Sequence, residues 1–154
     1  MMKLFLIQHA KAKNKEEDPE RGLTEEGYVI TRKIANFAKQ IPIEVRKIYH
    51  SGKKRAKETA EIFNEYLEPI DGLESAKGLN PLDSHLIWAG LLSDIDDNIM
   101  LIGHLPHLQK LCNFLISKDE SKEDIKFNYS GIVYLERYPG NRWVVILEVN
   151  PETL

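Results

Sequence analysis

Residues 3–10 read Lys3-Leu4-Phe5-Leu6-Ile7-Gln8-His9-Ala10, four apolar side chains in succession closed by an amide and an imidazole. A run without polar alternation suits a strand covered on both faces, as inside a parallel sheet. Two later stretches have the same form. Val45 to His50 is a short strand candidate leading into Ser51, and Ile99 to Ile102 runs into Gly103-His104. The intervening apolar residues fall at helical spacing. Ile30, Ile34, Phe37 and Ile41 follow Thr24, a capping residue, with Glu25 and Glu26 suited to the positive end of a helix and Pro42 marking its close. Ala56, Ala60, Phe63 and Leu67 repeat the spacing before Pro69, and Leu108, Leu111, Cys112 and Leu115 repeat it after Pro106, a residue that suits a first helical turn. Leu86, Ile87 and Leu91 suggest a short helix, whereas Asp71 to Pro81 has no clear period. Gly131 to Arg137 and Arg142 to Val149 flank Tyr138-Pro139-Gly140-Asn141, a turn between two β-rich runs. The pattern predicts an α/β fold: a three-layer sandwich of a mostly parallel sheet with an antiparallel edge hairpin and helices on both faces.

The length of 154 residues suits a single domain over 1–154, and 42% hydrophobic with 29% charged residues is an ordinary globular mix. Twenty-one Lys and Arg against 24 Asp and Glu leave a net charge of −3, too balanced for a general nucleic-acid-binding surface. The lone Cys112 excludes an intrachain disulfide and reads as a buried thiol in a reducing cytoplasm. The N-terminal apolar run is too short for a signal peptide, and no stretch is long enough to span a membrane, so a cytoplasmic protein is expected.

In open α/β sheets, ligands bind beyond the carboxyl ends of the strands. Three predicted strands deliver polar residues there: Gln8-His9, His50-Ser51 and Gly103-His104. One imidazole at a strand end is explained by backbone capping, but two at equivalent positions beside an arginine suit phosphoryl transfer. A neutral ring attacks phosphorus while cations hold the non-bridging oxygens. Zinc is the competing use of two histidines; with no HExxH helix and no paired cysteines, neither metal nor cofactor is expected. A nucleophilic His9 must be neutral and a cationic His104 would help hold phosphate, so the two rings are expected to differ in protonation near neutral pH and to give a bell-shaped rate profile.

Four segments, in order over nearly the whole chain, resemble the histidine phosphatase superfamily (branch 1), and within it the small SixA-type phosphohistidine phosphatases. LFLIQHAKA (4–12) resembles the family's strand with its Arg-His-Gly or Arg-His-Ala signature, which implies His9 as the phosphorylated nucleophile. RGLTEEG (21–27) is similar to the Leu-Thr-x-x-Gly helix start. IYHSGKKRAKETAEIF (48–63) resembles the Ser-Ser-Pro run leading into Arg-Ala-x-x-Thr and implies Arg55 as a phosphate-binding arginine. LIGHLPHLQKL (101–111) resembles the Gly-His-x-Pro signature and implies His104 as the second active-site histidine; FNYSGIVYLE (127–136) is similar to the SixA-type closing hairpin. The resemblance implies a phosphoglycerate mutase-like fold and a metal-independent phosphatase acting through a phosphohistidine intermediate. Its partner would be a phosphorylated protein, notably one bearing phosphohistidine, or a small phosphorylated molecule.

The chain also departs from that pattern. Gln8 stands where the family has arginine, and its amide donates hydrogen bonds but carries no charge and lacks the bidentate fork. Gln8, Arg21, Arg55 and His104 are the candidate phosphate-binding residues, with His9, His104 and Arg55 catalytic. Lys11, Lys13, Lys53 and Lys54 lie on segments expected near the site. His50 and Gly52 replace the usual Ser and Pro, and Glu58 the more frequent Gln. Glu74 and Asp83 are candidates for a leaving-group acid, Asp83 also reading as a helix cap; His85 and His107 are expected near surfaces or rims, and Trp88 and Trp143 in packing. The alternative reading is a catalytically weakened member that binds phosphate-bearing partners without turnover.

Overall fold

The computed structural model describes residues 1–119 and 125–154. Six strands, β1 (Met2–Gln8), β2 (Lys47–His50), β3 (Leu73–Ser75), β4 (Ile99–Gly103), β5 (Ile132–Tyr138) and β6 (Arg142–Val149), form one sheet in the order β3-β2-β4-β1-β5-β6. The first four strands are mutually parallel, β5 runs antiparallel to β1, and β6 closes the hairpin at the edge. Four helices alternate with them: α1 (Glu25–Gln40), α2 (Lys54–Leu67), α3 (His85–Asp94) and α4 (His107–Ser117).

The opening strand explains the layering. Successive side chains of a strand point to opposite faces. Phe5 and Ile7 accordingly join Ile34, Ala35, Ala60 and Phe63 of α1 and α2, while Leu4 and Leu6 join Trp88, Leu92, Leu108 and Leu111 of α3 and α4. Both faces of β1 are covered, which is why its sequence shows no alternation. Cys112 and Trp143 are buried in the second of these cores. Burial pushes the Cys112 thiol up to about 12.

Three expectations need correction. Asp71 to Pro81 contains β3, which sequence periodicity did not reveal because only three residues pair and two of them are exposed. In α3 the apolar residues that suggested the helix face outward: Leu86, Ile87 and Leu91 are 55%, 50% and 46% exposed. The buried side carries His85, Trp88, Ala89 and Leu92 instead. The helix is apolar around its circumference, so spacing alone left its rotation open, and Trp88, with the largest area to bury and an indole N–H that donates to the Lys77 carbonyl at 2.9 Å, decided it. Asp83 does not cap α3. Ser84 does, its Oγ accepting from the Leu86 N–H, while the Asp83 carboxylate accepts from the Asn80 N–H at 2.9 Å and closes the preceding turn.

Candidate active site

Register sets the site. Gln8 lies level with Gly103 across β1 and β4, and the His9 N–H donates to the Gly103 carbonyl at 2.9 Å. The residues that follow, His9 and His104, therefore leave the sheet at one height, with ring centroids 5.0 Å apart. On the other side of β4, His50 is level with Ile102, which carries Ser51 up to His104; the Ser51 Oγ and His104 Nε2 are 2.6 Å apart.

The ring of His9 is fixed by its own backbone. Nδ1 stands 2.7 Å from the Ala10 carbonyl. A carbonyl only accepts, so this contact holds the proton on Nδ1 and leaves the Nε2 lone pair unprotonated. Burial is the main force holding the ring below its ordinary value, at about 4, aided by the Arg55 and Arg21 cations. Both charged groups acting on it through space are positive.

His104 is also pushed down, to about 3, first by burial and then by His9, Arg55, Lys53 and His107. The expected opposition of a neutral and a cationic ring is thus not met in the free protein. Both imidazoles are neutral, because burial disfavours charge and the nearby cations leave no electrostatic reason to add a proton.

Arg55, the second residue of α2, is half-buried, with its Nε hydrogen enclosed and without an acceptor among the described residues. Burial and the Arg21 charge draw its pKa below the ordinary arginine value. Two guanidinium groups converge beside His9, and a buried donor without an acceptor costs about 1–3 kcal/mol unless something accepts from it. An oxyanion satisfies both conditions.

The loops around these groups are tied by residues whose identity the sequence pattern left unexplained. Arg21 adopts a left-handed backbone at φ 56°, held by its N–H to the Asp18 carbonyl at 2.9 Å and its Nε to the Lys13 carbonyl at 3.0 Å. Gly27 is required by contact: a Cβ there would stand 2.4 Å from the Lys11 carbonyl oxygen, which also accepts from the Thr24 N–H at 3.0 Å. The segment following His9 thereby lies on the first turn of α1. Thr59 fastens the same segment to α2, its Oγ1 accepting from the Ala10 N–H at 2.9 Å and donating to the Arg55 carbonyl at 2.7 Å.

The three family departures around α2 have structural explanations. Gly52 takes φ 94°, which a proline ring forbids, and its N–H donates to His50 Nδ1 at 3.0 Å. Glu58 accepts from the Leu23 N–H at 2.9 Å with one oxygen and from the Tyr28 hydroxyl at 2.7 Å with the other. A glutamine there has only one acceptor oxygen.

The other candidate lysines are exposed, with Lys53 within electrostatic reach of His104. Lys11 is exposed and paired with Glu26 at 2.8 Å; Lys54 is exposed beside Asp18 and Glu20; Lys13 and Lys53 are exposed. Glu74 pairs with Lys47 at 2.6 Å, away from His9. His85 and His107 are not on surfaces or rims. His107 is 1% exposed, with neither ring nitrogen hydrogen-bonded, and burial pushes it down to about 4; His85 packs its ring on Phe114. The helical turn beginning at Pro106 carries His107 inward. Sequence reading overlooked Tyr129, whose ring lies 5.5 Å from that of His9. It lies in the 127–136 segment likened to a closing hairpin, which gave no sign of a site residue; the Gln8–Tyr129 bridge and the adjoining Ser130 N–H on the Gln8 carbonyl bring it to the site.

A parallel-sheet sandwich with two imidazoles and two guanidinium groups at the carboxyl edge defines a class of phosphoryl-handling proteins, and the comparisons name it. Residues 4–100 match the model of the histidine phosphatase superfamily (branch 1), and the chain belongs to that family. Among curated proteins, none matches it in sequence. Solved structures share the fold along the whole length. The protein histidine phosphatase SixA, complexed with tungstate, aligns at TM-score 0.87 with 22% identity, covering 99% of both chains. A SixA protein from Agrobacterium tumefaciens aligns at 0.80 with 24% identity over 97% of this chain and 98% of its own. A phosphoserine phosphatase mutant from Entamoeba histolytica, in complex with phosphoserine, aligns at 0.77 with 16% identity over 100% of both. At these identities the likeness shows the fold. No helix among the described residues is long and apolar enough to cross a membrane, and they hold no cluster of three or more potential metal ligands.

Proposed function

We propose that the chain is a single-domain cytoplasmic phosphatase that transfers a phosphoryl group to His9 and then to water, acting on a phosphohistidine-bearing protein or another small phosphorylated molecule. The observation that carries this reading is the orientation of His9: Nδ1 on the Ala10 carbonyl, Nε2 free, and the charged groups acting on the ring both cationic. In the first step the Nε2 lone pair forms the N–P bond as the bond from phosphorus to the leaving group breaks. Arg55 and Arg21 hold the non-bridging oxygens, with His104 beside them, and a water then displaces phosphate from His9. A metal is not required for this scheme, because the two guanidinium groups supply the positive charge that a divalent ion supplies elsewhere.

The charged groups acting on His9 are both cations, with no carboxylate among them to protonate the leaving group, and Glu26 in the neighbouring groove is paired with Lys11. An oxygen leaving group would need such an acid, whereas the nitrogen of a phosphoramidate is protonated readily, and this favours phosphohistidine. A SixA structure complexed with tungstate and a phosphoserine phosphatase in complex with phosphoserine, both of this fold, support a phosphate-like ligand. Gln8 favours the second reading, a member that binds phosphate-bearing partners without turnover: it is a buried, uncharged residue at the signature arginine. Phosphate release from phosphoramidate, with His9→Ala as control, tests both. Turnover that disappears in H9A supports the phosphatase, and binding of tungstate without turnover selects the alternative.

A further inference from the structure

Among the described residues, Tyr129 is the one aromatic ring that faces His9 and has no part in the mechanism above. Its position is rigidly imposed. The adjoining Ser130 N–H donates to the Gln8 carbonyl at 2.9 Å, Ser130 takes a left-handed φ of 63°, and its hydroxyl lies 2.7 Å from that of Thr31 in the core. Gly131 follows so closely against β6 that a Cβ would stand 2.8 Å from the Val149 carbonyl. A segment pinned at Ser130 and Gly131 nevertheless leaves the Tyr129 side chain 50% exposed. One part of the ring lies tilted at 47° to His9, and the residue also lines a groove of about 260 Å³ with Lys11, Glu26, Asn128, Asn150 and Glu152. The phenol is within electrostatic reach of both Arg55 and Lys11.

In a near-attack geometry phosphorus lies about 3–3.5 Å from the attacking nitrogen, so the first atoms of the leaving group fall roughly 5 Å from it, within reach of a neighbouring aromatic ring. The other groups around His9 are cations and imidazoles, suited to the phosphoryl oxygens. Tyr129 offers an apolar face instead. We propose that Tyr129 is a specificity-determining residue, the wall of a leaving-group subsite that selects substrates whose phosphorus is bonded directly to a flat ring, as in a phosphorylated imidazole, with the groove beyond it receiving the polypeptide that bears the ring. This inference rests on reading His9 as the phosphoryl acceptor. An alkyl ester oxygen on phosphorus in place of the ring, as in phosphoserine, would leave the aromatic face without a partner.

Non-hydrolysable phosphonates test the subsite without relying on turnover. Phenylphosphonate places a flat ring directly on phosphorus and methylphosphonate does not. Calorimetric titration of the wild-type chain should show phenylphosphonate binding roughly three- to tenfold tighter, the range expected of an aromatic pair. Tyr129→Phe should keep that preference and Tyr129→Ala should bring the ratio to about one by weakening phenylphosphonate. Thermal unfolding of each variant checks that the half-exposed position can be changed without loss of the fold. A preference that survives in Y129A, or is missing in the wild type, overturns the proposal; loss of preference in Y129F makes the hydroxyl the determinant and overturns the ring-stacking role. Phosphoramidate turnover by the wild type is measured alongside. If it fails while the phosphonate ratio behaves as stated, the phosphatase reading falls and the ring-selective subsite stands.

Discussion

His9 and His104 each follow the last residue of a parallel strand in matching register, and their ring centroids are 5.0 Å apart although 94 residues separate them in the chain. The backbone pairing of Gln8 with Gly103 produces that proximity, and burial then keeps both rings neutral. A site held by sheet register is rigid before any ligand arrives, which is the condition for electrostatic preorganisation.

On the proposed mechanism, Arg21 would take over part of the role that Gln8 cannot perform. Its charge acts on both His9 and Arg55. Arg21→Met should lower kcat/KM for phosphoramidate by about 10²- to 10³-fold, the usual cost of one aligned donor to developing charge. Gln8→Arg, which adds a third guanidinium to the two of Arg55 and Arg21, should raise kcat/KM by about tenfold, or about 1.4 kcal/mol of transition-state stabilisation. Steady-state kinetics of the two variants, with His9→Ala in the Q8R background as control, measure both effects.

The pH dependence follows from the depressed histidines. Corrected for substrate ionisation, kcat/KM should remain level from pH 7 to about 5 and fall near pH 4, where His9 takes up a proton and loses its nucleophilic lone pair. A limb centred near 6.5 would mean that burial does not control this ring.

Stability should follow the same groups. His9, His104 and His107 are held below the ordinary value of 6.5, so between about 4 and 6.5 the unfolded chain binds more protons than the folded one. The stabilisation is complete above about pH 6.5 and is lost as pH falls toward 4, at up to about 1.4 kcal/mol per pH unit for each ring. His107→Phe should flatten this decline. Urea unfolding at pH 7.5 and 5.0 for the wild type and H107F gives the comparison.

Glu58→Gln should destabilise the fold by about 1 kcal/mol. The glutamate accepts from two donors on two oxygens; in the glutamine Oε1 still accepts from the Leu23 N–H but the amide N–H must donate to the Tyr28 hydroxyl oxygen, so two charge-assisted bonds become neutral ones and one of them reverses. The change in urea midpoint at constant slope reports it.

Gly27→Ala should reduce activity more than stability. The added carbon must move the Lys11 carbonyl from its place on α1, and Lys11 is two residues from His9. Overpacking of this kind costs about 1–3 kcal/mol, while a displacement near 1 Å at the reacting groups costs about 10²-fold in rate. Calorimetric melting and phosphoramidate kinetics on the same preparation separate the two.

The amino-acid sequence by itself determined the architecture, because the residues that decide it act locally or by period. Leu4 to Ile7 lack alternation, Thr24 caps α1 with its Oγ accepting from Gly27, and Pro139 to Asn141 turn the final hairpin. It also marked His9, Arg55 and His104, since each sits in a short ordered motif at the end of a strand or the start of a helix. Tertiary structure alone decided the rotation of α3, the inward turn of His107, the neutrality of His104 and the approach of Tyr129 to His9. Each of these depends on what lies opposite across many residues: an apolar helix can turn either way until Trp88 finds its cavity and the Lys77 carbonyl, and a histidine keeps or loses its proton according to burial and neighbouring charge. Periodicity and motif record the chain's own geometry, whereas desolvation and contact belong to surfaces that come into existence only when distant segments pack.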